Sequence, residues 1–341
     1  MIFDFTTLQN RRNRAAKKLA DVMGPKDLLL VYAGEPIQRP GGLDQTYSYQ
    51  PHPNYYWLSG RRRVSGVMTF SQSEGWQDYT KPHAPEETLW EGTTPDPQAG
   101  RDIAELATSL KSHQKIIPIG QVPAELFNHP KVASREERFN LQVKFEQARR
   151  IKDAAEIELI ENIARIANRG YERIQAILKP GITEREIRIE YEAEIQRAGS
   201  LGIPYGTIVG TGSNAAILHA EPSSRMVAPD DLVLIDAGAE IHDYCVDITR
   251  VYPASGKFDS KRQAIYDTVK KAQAASIALM KPDVEWKDVH AASARVIAQG
   301  LRDLGILNCS ADEALASGAV SVFFPHGVGH LVGLRVRDTG H

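Results

Sequence analysis

The stretch LVLIDAGAEIHDYCVDITRVY, Leu232 to Tyr252, decides how this chain is read. Its apolar residues fall on both sides of a polar break, the pattern of two short strands joined by a turn. A turn near Ile241–His242 predicts an antiparallel pair in which Asp236 lies directly opposite Asp247. Residues opposed in this way point to one face, with Cβ atoms roughly 5 Å apart. Ile235, Val246 and Ile248 beside them imply partial burial, where like charges repel more strongly than in water. Three arrangements relieve that repulsion: a proton on one carboxyl, an arginine between the two, or a cation bound by both. Oxygen donors suit hard or borderline divalent ions such as Mn2+, Co2+ or Zn2+. A carboxylate pair of this kind suits two ions spaced ~3.5–4 Å. A register slip of one residue would instead turn the two side chains to opposite faces and leave an ordinary exposed hairpin.

The segment FFPHGVGHLVGL, Phe323 to Leu334, carries His326 and His330 four residues apart. The glycines between them argue against a regular helix and for a tight loop that a ligand can approach closely. Either imidazole can supply a nitrogen ligand, and the other can hydrogen-bond substrate or a developing oxyanion. His219 closes the segment GTGSNAAILH, Gly210 to His219. A single histidine after an apolar pair serves structure more often than chemistry. The Gly210-Thr-Gly212 turn is not followed by the Gly-Lys-Ser/Thr of a phosphate loop, so nucleotide binding is not indicated.

Outside these segments the order of elements is legible. Apolar positions at helical spacing (Leu8, Ala15, Leu19, Val22) predict a helix over about Thr7–Met23, and Leu28–Ala33 and Gly66–Phe70 read as buried strands. A Pro-rich loop is expected over Lys81–Gln98, then a helix near Asp102–Lys111 and a strand over Lys115–Ile119. Strands alternating with helices predict an N-terminal α/β domain over residues 1–135. A charged helical connector is expected over 136–152, and a second domain over 153–341. Asp153 with Glu156, and Thr183 with Glu186, fit capping boxes that open helices over Ala154–Leu178 and up to about Arg197. LKPGITEREI (Leu178–Ile187) resembles MKPDVEWKDV (Met280–Val289). Each copy follows one helix, opens another and leads to a strand-like segment, which suggests a pseudo-twofold repeat with a site between its halves.

Bulk properties narrow the functional classes. The chain has 341 residues, 41 basic and 43 acidic, and a net charge of −2. That balance argues against nucleic acid as the main partner. The one local excess, Arg61-Arg62-Arg63, reads as a solvated turn. Two cysteines, Cys245 and Cys309, allow neither a disulfide framework nor a thiolate zinc site. No run approaches ~18 apolar residues, so no membrane partner is expected. The N-terminus lacks the apolar core of a secretory signal, and a cytoplasmic setting is expected.

Four ordered blocks, IVGTGSNAAILH (Ile208–His219), LIDAGAE (Leu234–Glu240), YCVDITRVY (Tyr244–Tyr252) and HGVGHLVGL (His326–Leu334), closely resemble the aminopeptidase P and prolidase family. IKDAAEIELI (Ile151–Ile160) resembles the start of that family's catalytic domain, and PNYYWLSG (Pro53–Gly60) part of its smaller N-terminal domain. The resemblance runs over nearly the whole chain. It implies an α/β N-terminal domain followed by a pita-bread catalytic domain. It implies that Asp236, Asp247 and His330 are metal ligands, with Asp247 touching both of two divalent ions. Mn2+ is the first expectation, Zn2+ and Co2+ the alternatives. His219 and His326 match histidines that contact substrate. The activity implied is hydrolysis of an Xaa–Pro bond by a metal-bound hydroxide, on proline-containing peptides, by a cytoplasmic homodimer.

Two departures from the family pattern bear on that expectation. The family's two glutamate ligands lie beyond its histidine block, whereas this sequence stops at His341. The catalytic domain is therefore expected to be incomplete, truncated at its C-terminus. A His usual in the family shortly after the position of His330 is replaced here by Arg337, in Val336-Arg337-Asp338. A guanidinium stays charged and can grip a substrate carboxylate through paired hydrogen bonds, which suits short substrates with a nearby free C-terminus. The competing expectation is a catalytically inactive peptide- or protein-binding module of the same fold. A creatinase-like hydrolase without metal is disfavoured by the aspartate pair.

Overall fold

A computed structural model describes residues 2–92 and 100–339 of the chain. The chain forms two compact units: Met1–Arg165 with Glu240–Val246 and Val332–His341, and Ile166–Ala239 with Asp247–Leu331. No helix among the described residues is long and apolar enough to cross a membrane.

The first unit is built on a five-stranded sheet of β1 (Asp27–Tyr32), β2 (Val67–Ser71), β3 (Gly75–Thr80), β4 (Arg101–Asp102) and β5 (Lys115–Gly120), in the order β4-β3-β2-β1-β5. Leu28 to Val31 are fully buried on both faces of β1, which is why this strand reads as an unbroken apolar run. β1 and β5 are parallel, with Leu29 opposite Ile117. β5 is an edge strand, the place in a sheet that tolerates its Pro118. Helix α1 (Phe5–Leu19) starts at Asp4, whose carboxylate accepts from the Thr7 amide, and buries Leu8, Arg11, Ala15 and Leu19. Helix α2 (Pro53–Ser59) is buried from Asn54 to Ser59 and ends at Gly60 in the left-handed region. The expected loop over Lys81–Gln98 is corrected in part. Its Pro85 and Glu86-Glu87 begin a short helix, α3 (Pro85–Glu91), because proline and acidic residues suit a first turn. Residues 93–98 of that expected loop lie outside the described residues. Helix α4 (Leu106–Ser112) and helix α5 (Arg135–Arg150) complete the unit, together with the opening turns of α6 (Ala154–Ile177). Asp153 and Glu156 form the expected reciprocal cap of α6.

Two buried aspartates tie the separate segments of this unit together. Asp338 lies 2.6 Å from Arg149 and 2.9 Å from Lys152. Asp243 receives Arg62 at 2.9 Å and has Arg335 at 3.6 Å. The solvated-turn reading of Arg61-Arg62-Arg63 is therefore corrected. Arg61 and Arg63 reach Asp78 at 3.8 and 2.8 Å, and Arg62 reaches Asp243. The triplet neutralises the half-buried Asp78 and the buried Asp243, the latter far from it in sequence. Strands β8 (Glu240–Ile241) and β9 (Tyr244–Cys245) form a two-residue hairpin in this unit.

The second unit contains the three-stranded antiparallel sheet β10-β7-β6, from β6 (Ile208–Thr211), β7 (Leu232–Ala237) and β10 (Ile248–Pro253). The rest of α6 and helix α7 (Glu184–Arg197) accompany it, and α7 starts with the expected Thr183–Glu186 capping box. Helices α8 (Ser260–Leu279) and α9 (Trp286–Asp303) pack as a second pair, joined by a buried Ser276–Ser293 hydroxyl contact of 2.5 Å. The helix–helix half of the repeat is present twice. Its third member is not: after α9 comes helix α10 (Ala311–Ala316), and no strand follows among the described residues of the unit. Ser310 and Glu313 form a capping box there, and Ala311, Ala314 and Val320 bury against Ala294 and Ala298 of α9.

Candidate metal centre

β7 is the central strand of its sheet, and its residues alternate half-buried and buried from Leu232 to Ala237. Asp236 falls on the half-buried side, opposite Ile208 of β6 and Thr249 of β10. The expected direct opposition of Asp236 and Asp247 is thus corrected. The turn falls at His242–Asp243, one residue later than expected, and both positions have positive φ. Moving a two-residue turn by one position moves every cross-strand partner by two. A shift of two preserves the face, because side chains alternate with period two. The two carboxylates therefore remain neighbours, offset along the strands.

What joins them is a side chain that the reading of the sequence did not single out. The Tyr205 hydroxyl lies 2.7 Å from Asp236 Oδ1 and 3.1 Å from Asp247 Oδ1. Burial pushes the Asp236 carboxyl above its ordinary value. The Tyr205 hydroxyl pulls it back, the Asp247 carboxylate pushes it up again, and the balance is upward. The Tyr205 hydroxyl is also raised, by burial first and then by its bond to Asp236 and the charge of that carboxylate. Tyr205 stands in the loop GIPYG, three residues before β6. Only the β6–β7 register brings it to the carboxylates, and nothing in local spacing announces that.

His330 reaches the same place from a loop. Its Nε2 is 3.1 Å from Asp247 Oδ2, and its Nδ1 is 3.2 Å from the Leu331 carbonyl. With its proton on Nδ1 the ring donates to the Leu331 carbonyl and turns the Nε2 lone pair towards Asp247; with its proton on Nε2 it donates to the Asp247 carboxylate. In the first tautomer two acceptors meet, an arrangement that a shared cation would relieve. An Nδ1–H directed at a backbone carbonyl is also the arrangement that prepares Nε2 for a metal. In kind, then, two carboxylates and an imidazole fit a divalent cation. In number they fall short: among the described residues no three His, Cys, Asp or Glu side chains are grouped closely enough to hold an ion.

His219 and His326 are exposed, the latter with Nδ1 2.8 Å from the Gly327 carbonyl. Arg337 is exposed and belongs to the other unit, next to the buried Asp338.

Comparison with known proteins bears on what this arrangement is. Residues 158–341, more than half of the chain, match the metallopeptidase family M24, and residues 8–118 match the aminopeptidase P N-terminal domain. The chain is 31% identical over 343 residues to the "Probable Xaa-Pro aminopeptidase" of Colletotrichum graminicola, covering 95% of this chain and 65% of that protein. It is 33% identical over 254 residues to the "Probable Xaa-Pro aminopeptidase PEPP" of Paracoccidioides brasiliensis, covering 71% and 50%. The chain thus spans between half and two-thirds of the length of these relatives. The solved structure of Pseudomonas aeruginosa aminopeptidase PepP superposes with a TM-score of 0.85 at 26% identity, over 98% of this chain and 81% of that one. With the same two-part organisation and the same fold, this chain belongs to metallopeptidase family M24, as a pita-bread protein of the aminopeptidase P type.

Proposed function

We propose that the chain carries the metal-binding core of a hydrolase that cleaves the bond between an N-terminal residue and proline. The observation that carries this reading is the run of contacts from Asp236 through the Tyr205 hydroxyl to Asp247, and from Asp247 to His330. Asp236, Asp247 and His330 would hold the divalent metal, Mn2+ before Zn2+ or Co2+. Such ions polarise a carbonyl and lower the pKa of water. Tyr205 holds the two carboxylates in register. His219, His326 and Arg337 are proposed to contact the peptide, with Arg337 favouring a short substrate through its carboxylate. The proposed setting is a cytoplasmic homodimer without nucleic-acid or membrane partners.

The test loads the chelated chain with Mn2+, Zn2+ or Co2+ in turn and measures turnover of Xaa-Pro and Xaa-Pro-Xaa peptides. Turnover restored by one of these ions is expected. In Asp247→Asn it should fall by more than the ~10–100-fold typical of changes around a ligand. Full activity after exhaustive chelation would refute the reading.

A second reading, a module of the same fold that binds peptide without chemistry, is favoured by the small number of donors grouped at the site. Elemental analysis separates the two. Peptide binding without stoichiometric metal would establish the module and exclude the hydrolase.

A further inference from the structure

Where the ladder between β7 and β10 ends, the two carboxylate-bearing segments part. Ala237 and Ile248 form its last pair, and Val246 and Asp247 lie outside any strand. Backbone that leaves a ladder loses the hydrogen bonds that fix it. Asp236 and Asp247 must nevertheless keep a set separation to share a cation.

The phenol of Tyr171, on α6, is buried at this fork. Its hydroxyl donates to the Ile248 carbonyl, with the Ile235 and Ala237 carbonyls at 3.4 and 3.5 Å. The Ile235 carbonyl belongs to the peptide bond that enters Asp236, and Ile248 directly follows Asp247. One hydroxyl therefore lies beside both ligand-bearing residues, touching the end of β7 and the start of β10 at once. Its ring is braced in turn. Tyr191 of α7 meets it edge-on with centroids 5.2 Å apart, and the Tyr191 hydroxyl lies 3.4 Å from the Gly238 carbonyl. Burial raises the Tyr171 hydroxyl far above its ordinary value, so it stays a donor throughout the working range of pH.

We propose that Tyr171 is a positioning residue: it sets the spacing of Asp236 and Asp247 by donating to the carbonyl that follows Asp247 while its hydroxyl rests against the backbone on either side of Asp236, with Tyr191 bracing its ring. It touches neither metal nor substrate. The inference rests on the metal-site reading above.

Tyr171→Phe keeps the ring and removes the hydroxyl. Two measurements on the 341-residue chain read the result: amide hydrogen exchange without added metal, and Mn2+ affinity by calorimetry. Loss of one buried hydrogen bond is expected to speed exchange over 236–239 and 246–249 by about tenfold and to weaken Mn2+ binding by about as much. Exchange in α8 and α9 should not change. Tyr191→Phe leaves the Tyr171 contacts in place and should alter Mn2+ affinity less than about twofold, because its own contact is long.

An even rise in exchange across the unit, with Mn2+ affinity intact, would overturn the proposal by showing a merely structural role. So would faster exchange without loss of affinity, or an equal effect from Tyr191→Phe. A wild-type chain that takes up no Mn2+ would refute the metal reading itself. The exchange arm then decides Tyr171 alone, and unchanged exchange in the two segments would overturn its anchoring role.

Discussion

Glu184 shows what one buried charge can organise. Its side chain is fully buried and accepts from the Thr211 amide and hydroxyl (2.9 and 3.1 Å), Asn214 Nδ2 (3.0 Å), and the Ser223 amide and hydroxyl (3.0 and 2.6 Å). Burial alone would raise its carboxyl, but these donors outweigh burial and hold it below its ordinary value. The segment 211–223, which carries His219, is thus pinned at both ends to the start of α7. In Glu184→Gln an amide donor meets a ring of donors. We expect a loss of about 2–4 kcal/mol in the free energy of unfolding, read by urea denaturation. Residues of this kind were poorly legible in the sequence. Glu184 reads there as an ordinary first-turn acid of a capped helix. Tyr205 was missed, and the Arg61–Arg63 triplet misread as a solvated turn, for the same reason: the partners of Tyr205 and Arg62 lie on segments brought close only by tertiary structure. Asp236, Asp247 and His330 stood out because each lies in a pattern that its own neighbours define.

At the scale of elements, local chemistry was a good guide wherever both partners lie within one turn of chain. The caps at Asp153–Glu156 and Thr183–Glu186 are in place because a side chain three residues from a free amide has little choice of partner. The hairpin after β7 was placed one residue early. Its turn residues have φ of 52° at His242 and 66° at Asp243. Asp and His both accept the left-handed region more readily than most residues, whereas β-branched Ile241 rarely enters it, so the residue types themselves favour the turn one position later than expected. His242→Asn, which puts a residue at home in that conformation, should raise stability by about 0.5–1 kcal/mol. Equilibrium unfolding of the pair of proteins checks this, and a loss of stability would show that the imidazole makes a contribution the turn geometry does not reveal. The strand-like segment expected after α9 failed because Ser310 and Glu313 start a helix there instead.

For the molecule as a whole, acid sensitivity has an identifiable source in the first unit. Burial, reinforced by the charges of Arg149 and Arg335, pushes the His52 imidazole down to about 4. In the unfolded chain it titrates near ~6.5. Between these values the unfolded state binds a proton that the folded state refuses. The contribution of His52 is therefore full above about pH 6.5 and is lost as pH falls towards 4, at up to about 1.4 kcal/mol per unit. Urea denaturation at pH 7, 5.5 and 4.5 should show this slope, and His52→Gln should flatten it. The two-part plan was legible because each half carries its own alternation of apolar runs and turn signals. That the units interleave along the chain was not, since no local pattern marks Asp243 and Asp338 as counter-charges for Arg62 and Arg149, 181 and 189 residues away. The order of synthesis gives this interleaving a cost in time. A ribosome delivers Arg62 and Arg149 long before Asp243 and Asp338, so these two guanidinium groups emerge without the anions that enclose them. Final closure must wait until Asp338 has left the exit tunnel.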